Sequence, residues 1–75
     1  MKDLLTYLAQ NLVGDPDAVE VTESERGEVR SFSLKVGEKD VGRIIGRNGR
    51  TAKEIRTVMR AANRDKGKIM VEFVD

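Results

Sequence analysis

The chain has 75 residues, 36% of them charged, with neither Cys nor His and a formal net charge of +1. A chain this short buries only about 60% of its unfolded surface, so one domain over residues 1–75 is expected, with little core to spare for an enclosed active site. Lacking Cys and His, it has no disulfide, no thiol nucleophile, none of the usual zinc ligand sets and no imidazole for proton transfer; a surface binding site is expected rather than an enzyme, with no metal or cofactor.

In chain order, "MKDLLTYLAQNL" places Leu4, Leu5, Leu8, Leu12 and Val13 on one side of a helix, with Asp3 near its positive end. Thr6 and Gln10 interrupt the apolar residues, so the segment does not read as a signal peptide, and no run approaches the roughly 20 apolar residues of a membrane span. A soluble, cytoplasmic protein is the expectation. "GDPD" ends the helix, Gly14 suiting a C-terminal cap and Pro16 with Asp17 a turn.

"VEVTESERGEVRSFSLKV" reads as a hairpin. Val19 and Val21 alternate with Glu20 and Thr22, a turn falls near "ERGE", and Phe32, Leu34 and Val36 alternate with Ser31, Ser33 and Lys35. One sheet face is apolar and needs a cover, which the leucine side of the first helix supplies. After Gly37 a short helix follows, with Asp40 as N-cap and Val41, Ile44 and Ile45 as its apolar side.

From Arg50 to about Asn63 the helical pattern is strongest. Ala52, Ile55, Val58, Met59 and Ala62 share one stripe, while Arg50, Lys53, Thr57, Arg60 and Arg64 share the opposite one. Gly67 breaks this helix and "IMVEFV" supplies a last strand. The order is helix, strand, strand, helix, helix, strand.

The net charge conceals a segregation. Residues 1–40 carry nine Asp/Glu against five Lys/Arg, net −4, and residues 41–75 carry nine Lys/Arg against four Asp/Glu, net +5. A basic half points to a polyanionic partner.

Within that half, "VGRIIGRNGRTAKEIR" from Val41 to Arg56 holds three glycines and five cations. The dinucleotide fingerprint and the Walker loop both require Gly where Ile44 stands, and the Walker loop requires Lys where Arg50 stands. A mononucleotide enzyme is therefore disfavoured. What remains is Gly46-Arg47-Asn48-Gly49, a GxxG between two helices. Glycines let backbone N–H groups approach phosphates closely, Arg47 adds charge, Asn48 adds hydrogen-bonding capacity, and the dipole of the following helix favours anions.

This stretch resembles the KH domain, whose GxxG loop clamps the backbone of about four unpaired nucleotides. The element order resembles the type II arrangement, αββααβ, an α+β fold in which a mixed three-stranded sheet is covered on one face by three helices. More narrowly, "VGRIIGRNGRTAKEIR", the leucine-bearing first helix and the closing "VEFVD" resemble the KhpA type, the small single-KH proteins of bacteria.

The resemblance implies non-catalytic binding of single-stranded RNA. Gly46 and Gly49 would shape the loop, with Arg47 and Asn48 facing phosphate. Ile44, Ile45 and Ile55 would divide between groove floor and core, and Arg43, Arg50, Lys53, Arg56 and Arg60 would extend the backbone track. It also implies RNA chaperoning or post-transcriptional regulation with a Jag-like KH partner, KhpB, in cell elongation and wall homeostasis, with a homodimer as another association. Two positions depart from the family's pattern: Glu54 stands where a small residue is common, and the acidic "ESERGE" turn suits a position away from RNA.

Aromatics offer a separate criterion. Only Tyr7, Phe32 and Phe73 are present, too few and wrongly placed for an RRM or cold-shock stacking platform. Tyr7 and Phe32 read as core or partly buried residues. The alternative reading is a protein-interaction or dimerisation module with weak RNA contact, supported by the acidic N-terminal half and by leucines of the first helix left exposed.

Overall fold

The computed structural model describes residues 1–64 and 67–74. Helix α1 spans Lys2–Leu12 and strands β1 and β2 span Glu20–Arg26 and Val29–Lys35. Helices α2 and α3 span Val41–Ile45 and Arg50–Ala62, and strand β3 spans Lys68–Val74. β2 is central, antiparallel to β1 and parallel to β3.

The register explains which residues meet in the core. Val21 pairs with Leu34 and Leu34 with Phe73, while Phe32 pairs with Val71, so these side chains share the face covered by the helices. Phe32, Leu34, Val36 and Val71 are buried there against Leu5 and Ala9 of α1, Ile44 of α2, and Ile55 and Met59 of α3. All three helices thus contribute to one core over one sheet face. Past the helices, the same face carries Glu23, Glu25 and Arg30, with Arg30 Nε 3.5 Å and 3.2 Å from the two carboxylates.

Several local expectations are corrected. α1 packs on Leu5 and Ala9, while Leu12 lies exposed at the helix end and Tyr7 is 64% exposed instead of buried. Gly14 is not a left-handed cap: α1 stops at Val13 in extended backbone (φ −100°, ψ 160°). Gly14 and Asp15 instead donate their N–H groups to the Asp40 carboxylate at 3.0 Å and 3.2 Å. Asp40 does precede α2, yet its side chain caps nothing there. At 5% exposure it ties the end of α1 to the start of α2.

The hairpin turn is Gly27-Glu28, with Gly27 at φ 58° as tight hairpins require. Its Glu28 carbonyl accepts the N–H of Lys68 at 2.9 Å, which places this acidic turn beside the start of β3. That is the C-terminal end of α3, about 20 Å of helix from the glycine loop at ~1.5 Å per residue.

Candidate nucleic-acid interface

The loop begins where α2 ends. Gly46 donates its N–H to the Gly42 carbonyl at 2.8 Å, then turns to φ 77°, ψ 171°. This region of backbone space is essentially glycine's alone. Arg47–Gly49 then forms one 3-10 turn, closed by Gly49 N–H donating to the Gly46 carbonyl at 3.1 Å. Asn48 (φ 57°) and Gly49 (φ 74°) are both left-handed, and Asn is among the few side chains that tolerate this.

Arg47 and Asn48 are exposed at the tip. Their N–H groups, the first two of the turn, find no acceptor among the described residues. Such orphan donors are satisfied by water or by an anion. The positive end of α3 starts at the next residue, and no described carboxylate pairs with Arg47, Arg50 or Lys53.

Helix α3 distributes its side chains by flank. Ala52, Ile55 and Met59 face the core, and Arg50, Lys53 and Thr57 face solvent. Thr51, Glu54 and Val58 line a cleft against Leu8, Asn11 and Leu12 of α1. Glu54 therefore lies on the α1 side, clear of the cationic flank. Arg56 and Arg60 face β3, across an open groove of about 490 Å³ whose other wall is the edge of β3 from Ile69 to Phe73.

Arg56 is fixed in that groove. Its Nε donates to the Val71 carbonyl at 3.3 Å, and its Cζ lies 4.8 Å from the centroid of the Phe73 ring. A cation over a ring is worth about 0.5–1 kcal/mol where solvent reaches it. The two residues sit on different elements, so neither spacing nor periodicity could pair them, and Phe73 was not among the candidate site residues.

The remaining sequence candidates separate clearly. Ile44 and Ile55 belong to the core, whereas Ile45 is half-buried beside the loop. Arg43 is 63% exposed but turns toward Asp40, with Nη1 3.7 Å from Oδ1. It also crowds Gly14, where a β-carbon would stand 3.0 Å from the same nitrogen. The structure thus brings Gly46 to Gly49, Ile45, Arg50, Lys53 and Arg56 around one end and flank of α3, and sets Arg43 toward the end of α1.

Three helices on one face of a three-stranded mixed sheet, with a GxxG turn joining the second and third, define a type II KH domain. The KhpA/KhpB KH-domain family matches residues 2–73, and the chain belongs to that family. It is 41% identical to the RNA-binding protein KhpA of Clostridium acetobutylicum over 99% of this chain and all of that one. It is 38% identical to the RNA-binding protein KhpA of Chlamydia trachomatis over all of this chain and 97% of that one. These relatives carry the name of an RNA-binding protein, not of an enzyme.

The fold is also similar to part of Era, solved in complex with MgGDPNP and nucleotides 1506–1542 of 16S ribosomal RNA. The TM-score is 0.63 at 21% identity, covering 97% of this chain and 30% of that one. Among the described residues no helix is long and apolar enough to cross a membrane.

Proposed function

We propose that residues 1–75 act as a single cytoplasmic KH domain that binds single-stranded RNA without catalysis. Phosphates would rest on the Arg47 and Asn48 N–H groups, Arg50 and Lys53 would neutralise neighbouring phosphates, and bases would enter the groove between α3 and β3. The observation that carries this reading is the loop itself: two orphan N–H donors at an exposed, glycine-shaped tip, beside the positive end of α3 and cations without described carboxylate partners. The name shared by the relatives supports the ligand class.

One such domain contacts few phosphates, so its affinity is modest and falls with salt. The family resemblance supports a role in RNA chaperoning or post-transcriptional regulation with a KhpB/Jag-like partner, serving cell elongation and wall homeostasis. Titrating ¹⁵N-labelled protein with a short unstructured RNA tests the binding reading. Amide shifts should concentrate at Arg47, Asn48, Gly49 and the β3 edge; shifts confined to the open sheet face, around Thr22, Ser31 and Ser33, would refute it.

A second reading rests on the cleft between α1 and α3, where Leu12 and Val58 stay exposed, the latter by 42%. It makes this flank a dimerisation or protein-docking surface. Sedimentation of the parent and of Val58→Asp across a concentration series tests it: association in the parent that Val58→Asp abolishes supports it, and a parent that stays monomeric argues against self-association.

A further inference from the structure

Arg56 is placed unlike the other cations of α3. A phosphate-binding arginine presents its fork of N–H donors, whereas this one is half-buried with one donor and one side already committed. Its Nε is spent on the Val71 carbonyl of the edge strand, and its Cζ lies over the Phe73 ring. Its two terminal nitrogens have no acceptor among the described residues. The groove that it lines is open, and its other wall is the edge strand itself.

A planar guanidinium held over a ring on one side has another side to offer. Arginine planes and aromatic rings are the two kinds of side-chain surface on which an unpaired base stacks, and both are sequence-tolerant because every base has a π-face. The terminal N–H groups radiate in the guanidinium plane, where they reach acceptors at the rim of a stacked base or on its sugar. The preorganisation lies in Phe73 and Val71, which hold the guanidinium group in the groove before any ligand arrives.

We propose that Arg56 and Phe73 form a layered platform on which one unpaired nucleobase stacks, in the order Phe73, Arg56, base. The proposal deepens the RNA-binding reading above and rests on it. The subsite takes any base, purines more tightly than pyrimidines because they overlap more of the plane. Arg56 is then a base contact and not a member of the phosphate track. That role explains why a chain with few aromatics need not forgo stacking: the ring serves as a backing, and the cation is the surface presented.

The test compares a five-nucleotide oligoadenylate with a base-free sugar-phosphate chain of equal length and charge, on the full chain, by anisotropy or NMR titration. The parent should prefer the base-bearing chain, and Arg56→Lys, which keeps the charge but loses the plane, should reduce that preference about fivefold or more. Phe73→Leu should reduce it in the same direction. In the parent, stacking should also move the Arg56 Nε–H resonance upfield on addition of oligoadenylate and not on addition of the base-free chain, a readout that does not depend on any variant folding.

An unchanged preference in Arg56→Lys, or equal Nε–H shifts with both ligands, would overturn the platform. Replacing both Arg47 and Asn48 by Asp examines the underlying reading separately. If that variant holds oligoadenylate as well as the parent, the loop reading fails whatever Arg56 does; if it loses both ligands while Arg56→Lys keeps its preference, only the platform fails.

Discussion

A β-carbon built on Gly46 would stand 2.8 Å from the backbone nitrogen of Thr51, closer than real side chains come to a backbone atom. Gly46 therefore meets two constraints: a backbone conformation that only glycine adopts readily, and the first turn of α3 folded back against it. Thr51 cannot retreat without moving the helix whose positive end faces the loop.

This predicts a graded response at the two loop glycines. Gly46→Ala should cost about 2 kcal/mol or more, since the backbone region alone costs about 1–3 kcal/mol and the overlap adds to it. Gly49→Ala should cost about 1–2 kcal/mol, the expense of a left-handed residue, because nothing lies within 4 Å of its added carbon. Urea denaturation of both variants checks the order, and equal losses would contradict the steric account.

Asp40 should matter to stability although it lies outside the proposed RNA surface. Asp40→Ala leaves the Gly14 and Asp15 N–H groups without their acceptor and should cost about 1–3 kcal/mol. That corresponds to a fall in melting temperature of roughly 4–8 °C per kcal/mol in a domain of this size. Asp40→Asn, which keeps one acceptor oxygen, should fall between parent and Ala.

The cations should sort by salt dependence. Arg50→Gln and Lys53→Gln should each flatten the slope of log K against log salt by about 0.7, the value for one phosphate contact on a single strand. Arg43→Gln should leave the slope unchanged, because Arg43 is directed to Asp40 and the end of α1. None of the three should change stability by more than about 0.5 kcal/mol.

Much of the fold was legible because two independent patterns coincided. In α3, the apolar stripe Ala52, Ile55, Met59 and the cationic stripe Arg50, Lys53, Arg60 define the same helix from opposite sides, and Phe32, Leu34 and Val36 alternate without a break. Periodicity overstated the apolar face where geometry, not composition, decides burial. Val58 lies at the stripe's margin and Leu12 at a helix end, so both emerge into solvent, while small Ala9, unremarked among leucines, fits where α1 packs most tightly.

The loop was legible as glycine, cation, amide, glycine, but its left-handed pair and orphan donors were not, since those belong to backbone angles. Asp40 reaching Gly14 across 26 positions, and Arg56 reaching Phe73, depend on how the helices lie against the sheet. No local pattern encodes either contact.

The most direct test reverses the charge at the loop tip. Replacing Arg47 and Asn48 by Asp puts two carboxylates where phosphates should rest, and Asp tolerates the left-handed backbone at residue 48, so the fold should survive. Binding of a short unstructured RNA, followed by anisotropy at low salt, should weaken by at least about tenfold while the thermal melt stays near that of the parent. RNA binding as tight as the parent's would place the interface elsewhere.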